Sequence, residues 1–207
     1  MSHDKNQTEQ LVEQLGQAHR LVSGFYQRIL PLFDQIAQET IDANFWYWKP
    51  SENSRPCSQY TRPSSAWVWD YLPMFASTHA YRTWDVGKAL CNDMTLAFRL
   101  YIDDAIKEGS PQRAGRKGAP DPLGMERGNA VVEVYLFKCC ENSEHSFNTL
   151  WNNIPWPQPN EQWTASTAHP EIKFCVRHEP LAEFLADPSV VTDWLKNQLE
   201  LTRNADE

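Results

Sequence analysis

Glu133 is the residue whose setting first suggests chemistry. It interrupts the apolar run Val131 to Phe137, and a carboxylate among apolar neighbours must be paired with a cation or held neutral. A carboxyl group so placed can serve as a general acid or base. His79 and Asp70 form a second candidate pair if their segments make a hairpin, and an enzyme reading requires Glu133 to face a concave pocket together with His79, Asp70 or Arg99. Glu133, His79 and Asp70 are scattered residues rather than a motif. Glu133-Val134-Tyr135 lacks the lysine of a nuclease-type Glu-x-Lys strand. The chain contains no nucleophile elbow, no zincin helix signature and no dinucleotide-binding glycine turn.

Cys140, His145, Cys175 and His178 are the candidate metal ligands. Cys175 and His178 have a ligand-like separation. Residues three apart on a strand point to opposite faces, however, so the two converge only if the strand ends near Val176. Cys139 and Cys140 are adjacent, unlike the usual two-residue gap. The expectation is a chain without metal or cofactor. The five cysteines, Cys57, Cys91, Cys139, Cys140 and Cys175, are an odd number that fits free thiols in a reducing compartment.

Arg113, Arg116, Lys117 and Arg127 lie in a Gly- and Pro-rich stretch, residues 108–128, where backbone N–H groups can help hold a phosphate. Gly115-Arg116-Lys117-Gly118 nevertheless lacks the Ser or Thr and the helix of a phosphate-binding loop. The chain carries a net charge of −8, which repels nucleic acid and anionic lipid on average. A solvated, mobile loop is the expectation, with phosphate or nucleic-acid binding as a third functional reading.

Nine tryptophans mark either a thick aromatic core or an aromatic interface. Trp46, Trp48, Trp67 and Trp69 are the candidate binding residues, within the cluster Phe45, Trp46, Tyr47, Trp48, Trp67, Trp69, Tyr71 and Trp84. Strand alternation puts Trp46 and Trp48 on one face and Phe45 and Tyr47 on the other. The cluster cannot form a single wall, and most of it is expected in the core.

These residues need elements to position them. Leu11, Leu15, Ala18, Val22, Phe25, Ile29, Leu32 and Ile36 are spaced by four and three in turn. That is a 3.5-residue seam, predicting a helix from Thr8 to Thr40. Pro31 is expected to kink or split it. Leu11, Leu15, Val22 and Phe25 are the candidate oligomerisation residues. Predicted strands follow at Asn44–Lys49, Ala66–Tyr71, Phe75–Trp84, Asp93–Ile102, Asn129–Cys139 and Glu171–Arg177. The segment 86–106 also carries a helical stripe, and the strand reading is preferred there. A short helix is expected over His145–Asn153 and a loop over Pro155–Pro170. Helices are expected over Pro180–Ala186 and from Asp187 to about Leu201. Strands joined in sequence make antiparallel meanders. The expected fold is α+β: a long N-terminal helix, an antiparallel meander sheet of about six strands and short C-terminal helices, in one domain over 1–207, with residues 1–7 and 203–207 as frayed ends.

No apolar run approaches the roughly 18–20 residues of a membrane span, and the first residues have no signal-peptide character. A cytoplasmic protein is expected. Acidic, aromatic-rich and without a catalytic signature, the chain has the profile of a non-enzymatic inhibitor, immunity or adaptor-like protein. Its expected partner is another protein, including a second copy bound through the first helix as a homodimer. The alternative is a small enzyme or ligand-binding domain with a pocket between the aromatic sheet and the long helix.

Overall fold

The computed structural model describes residues 4–52, 59–60, 62–65, 68–107 and 124–205. Helix α1 spans Lys5–Ile41. It starts three residues before Thr8 because the Asp4 carboxylate accepts the Asn6 N–H at 3.1 Å, satisfying a donor that has no intrahelical partner. It ends at Asp42, which adopts the left-handed conformation (φ 51°) and donates its N–H to the carbonyls of Ala37 and Gln38. Pro31 does not split the helix. Both Pro31 and Gln27 are exposed, so the carbonyl that loses its partner turns to water.

Burial divides α1 in two. Residues 5–24 are all exposed, whereas Ile29, Phe33, Ile36, Ala37 and Ile41 are buried. Only the second half lies across the sheet, where the Phe33 ring stacks on Phe98 at 4.4 Å. The first twenty residues project as a rod about 30 Å long at roughly 1.5 Å per residue.

The sheet comprises β1 (Asn44–Pro50), β2 (Ala76–Arg82), β3 (Met94–Tyr101), β4 (Val131–Cys139), β5 (Asn160–Ala165) and β6 (Ile172–Pro180). Their order is β1-β2-β3-β4-β6-β5, all antiparallel. The first four strands are the expected meander. The chain then passes through α2 (Phe147–Asn153), and β6 sits between β4 and β5. Helices α3 (Leu181–Ala186) and α4 (Ser189–Ala205) follow.

Two expectations are corrected. Val68–Tyr71 forms a 3₁₀ turn instead of a strand, while residues 66 and 67 lie outside the described residues. The expected loop 155–170 contains β5, paired with β6.

Each sheet face has its own core. Leu96, Phe98, Leu100, Val132, Val134 and Leu136 pack under α1, α3 and α4, with Phe184, Val191 and Leu195. The other face carries Ala97, Tyr135, Phe137 and Val176, which pack with Trp84 and with Phe147, Leu150 and Trp151 of α2. That double covering explains why β4 is apolar on both faces. Beyond β3 the Asp103 carboxylate accepts the N–H groups of Ala105 and Gly128, and Asp104 accepts that of Asn129. These bonds tie the start of β4 to the end of β3.

Candidate functional site

Three features are candidates for function. The first is the projecting half of α1. Leu11, Val12, Leu15, Leu21 and Val22 are all more than half exposed, and Ala18 is exposed between them. The foot of this stripe opens into an apolar groove of about 820 Å³. Val22, Phe25 and Tyr26 line one wall; Leu72, Phe75 and Leu185 are among the residues opposite. The charged side chains Glu9, Glu13 and Arg20 fall outside the heptad positions of the seam.

The second is a cleft of about 610 Å³ between α1 and the β1–β2 edge, lined by Asp34, Asn44, Phe45, Trp48, His79 and Tyr81 among others. A register shift between Phe45 and Tyr47 makes it. The bulge inserts one residue, so alternation resumes out of phase. Phe45 and Trp48 therefore both turn toward the cleft, while Trp46 and Tyr47 pack in the core on the opposite face. This corrects the expected pairing of Trp46 with Trp48. Tyr81 donates its hydroxyl to Asp34 Oδ1 at 2.6 Å. Burial, then the Asp34 hydrogen bond and charge, raise the Tyr81 pKa. Burial pulls His79 down to about 4 against the opposing charge of Asp34, and its Nε2 lies 3.0 Å from Ser77 Oγ. His79 is thus neutral at pH 7.

The third is a buried ion network on the other sheet face. Glu133 is fully buried. It accepts the Tyr135 hydroxyl at 2.8 Å and pairs with Lys107. Arg99 lies 3.6 Å from Glu133 and 3.6 Å from Glu52. Its guanidinium sits 4.7 Å from the Trp156 ring centre and 5.3 Å from that of Tyr101, and Tyr101 donates to Glu52 at 3.1 Å. Burial works against the Arg99 charge, but Tyr101, Tyr135 and Glu133 outweigh it and its pKa stands above the ordinary value. Two cations against two carboxylates make this a balanced structural network.

The candidate acid–base residues are not brought together. Glu133 is level with Arg99, whereas His79 is level with Phe98 on the opposite face. Asp70 lies in the 3₁₀ turn, and the strand paired beside His79 is β1. The metal candidates are likewise dispersed. Cys175 is in the helix-side core, His178 and His145 are exposed and Cys140 is half-buried. Among the described residues no three His, Cys, Asp or Glu side chains converge as a metal would require. Arg113, Arg116, Lys117 and Trp67, and the side chain of Trp69, lie outside the described residues. Arg127 is exposed.

Asp34, Tyr81, Glu52 and Lys107 are site residues that the sequence did not single out. Asp34 alone had a local signal, as an acid beside the apolar stripe of α1. Among the described residues no helix is long and apolar enough to cross a membrane. No curated protein and no solved structure matches the chain. A family model matches residues 5–200, nearly the whole length, and the protein belongs to the PM0109 family.

Proposed function

We propose that this protein is a non-enzymatic protein–protein interaction module whose contact surface is the projecting half of α1. The observation that carries this reading is the exposure of Leu11, Val12, Leu15, Leu21 and Val22 on a helix that touches no core before Phe25. Leaving five large apolar side chains in water on one rod forfeits about 1.5 kcal/mol or more for each one that a partner would bury. A 3.5-residue seam is the spacing that receives another helix.

A photo-crosslinking residue at Val12 or Val22, introduced in the native host, tests it. Covalent polypeptide adducts are expected from these apolar-face positions and not from Glu9 or Arg20 on the outer face. Equal labelling from both faces, or none from either, would overturn the reading.

The cleft supports a second reading, a small-ligand pocket. Asp34 beside the exposed rings of Phe45 and Trp48 combines a carboxylate with aromatic faces, the chemistry that takes an organic ammonium. Binding of benzyltrimethylammonium, followed by NMR and lost in Asp34→Asn and Trp48→Ala, is the expected result. Unchanged spectra at millimolar ligand would dispose of it.

A further inference from the structure

We infer that the partner of the projecting helix is a second copy of this chain, paired antiparallel about a two-fold axis between Gly16 and Gln17. This rests on the interaction reading above and specifies its occupant.

The argument starts from the order of residues in Leu11–Val22. Read in either direction, the segment places apolar residues at matching positions and charges of opposite sign opposite each other. Leu11-Val12 at one end is answered by Leu21-Val22 at the other. Leu15 is answered by Ala18, and Glu13 by Arg20. An antiparallel pair centred between Gly16 and Gln17 sets Leu11 level with the second copy's Val22, Val12 with its Leu21 and Leu15 with its Ala18. In heptad terms these are alternating core layers flanked by an apolar side pair, with a large residue against a small one at the centre. Each exposed large apolar side chain of α1 then has a counterpart. A self-complementary patch of this kind is what an isologous two-fold interface requires.

Charge points the same way. The molecule carries −8 overall, yet residues 5–24 are balanced, with Lys5 and Arg20 against Glu9 and Glu13. Antiparallel pairing sets Glu13 level with the second copy's Arg20 and opposes the two macrodipoles, while Lys5 falls level with Arg28. Parallel pairing would align like charges and crowd both sheet bodies at one end.

The groove is the independent observation. It begins where the seam ends, and Leu21, Val22 and Phe25 belong to both. In the antiparallel register the second copy's Thr8, Leu11 and Val12 arrive beside these three residues. One segment thus covers the stripe and the mouth of the groove together.

The test is disulfide trapping in the full chain with Cys57, Cys91 and Cys140 changed to Ser. A mixture of Leu11→Cys and Val22→Cys proteins is expected to give a covalent dimer, and neither protein alone should. Leu15→Cys alone should not cross-link to itself, because its neighbour is Ala18. By sedimentation the native chain should run at twice its 24.0 kDa mass. Leu15→Asp with Val22→Asp should weaken the dimer about a hundredfold or more, with the urea midpoint of the sheet body unchanged. Efficient Leu15→Cys homodimers would overturn the antiparallel register. A monomer in solution that still gives photo-adducts from Val12 with a different polypeptide would overturn the second copy and leave the interaction reading standing.

Discussion

Arg99 and Glu133 face each other in register across β3 and β4, 3.6 Å apart and both buried. The register creates the pair, since each residue alone would be a charge in an apolar strand. Removing Glu133 leaves two cations, Arg99 and Lys107, against the single carboxylate of Glu52. Glu133→Ala is expected to cost about 3–5 kcal/mol, read by urea denaturation. Arg99→Met combined with Glu133→Leu should recover much of that loss. Glu52→Gln should cost less, because Arg99 keeps Glu133.

Acid should destabilise the fold through His79. Its folded pKa of about 4 lies below the ordinary histidine value of 6.5, so between these values the unfolded chain binds more protons than the native one. Stability therefore rises with pH across this window and is lost as pH falls from 6.5 toward 4. The full effect is about 3 kcal/mol for a shift of this size. His79→Phe should flatten that part of the stability profile relative to wild type, leaving the acid limb set by carboxylates. An identical pH slope in the two proteins would contradict the assignment.

The two halves of α1 should respond oppositely to truncation. Phe33→Ala removes a fully buried ring stacked on Phe98 and should cost about 3–5 kcal/mol in chemical denaturation. Leu11→Ala, on the exposed half, should leave the unfolding midpoint of the sheet body within about 0.5 kcal/mol of wild type and act only on association.

Gly128 is required where it stands. A Cβ there would fall within 2.7 Å of the Ala105 backbone nitrogen and closer still to the Asp103 and Asp104 carboxylates. Those carboxylates hold Gly128 and Asn129. Gly128→Ala should therefore destabilise by about 1–3 kcal/mol, measured by thermal or urea unfolding. Gly16→Ala, with nothing within 4 Å, should be neutral or stabilising through helix propensity.

Where a segment was regular and deeply buried, its periodicity was enough to read it. The seam of α1 and the doubly apolar Val131–Cys139 each announce their element, whereas Met94–Tyr101 alternates strictly but lies in a segment that also carries a helical stripe. The misreadings have local causes. Asn160–Ala165 is a polar edge strand with a single large apolar residue, Trp163, so no pattern marks it. Val68–Tyr71 has aromatics at strand spacing but closes into a 3₁₀ turn. The bulge in β1 is invisible in Phe45-Trp46-Tyr47-Trp48, yet it decides which rings line the cleft. The buried network was half legible: Glu133 was conspicuous, while Glu52 and Lys107 reach it only through pairings remote in sequence. The seam was evident, but its division into a packed half and a projecting half depends on where the sheet lies.

The projecting half of α1 has one more consequence. A helical segment of twenty exposed residues containing Gly16 and Gly24 is only marginally stable on its own in water. Its amide protons from Gln14 to Val22 should exchange with deuterium almost as fast as in a free peptide when the chain is alone. Occupancy of the seam should slow them sharply, while amides of β3 and β4, covered on both sides, stay protected throughout. The rod thus reports its own occupancy, and the ordering it undergoes tempers the affinity of whatever it meets.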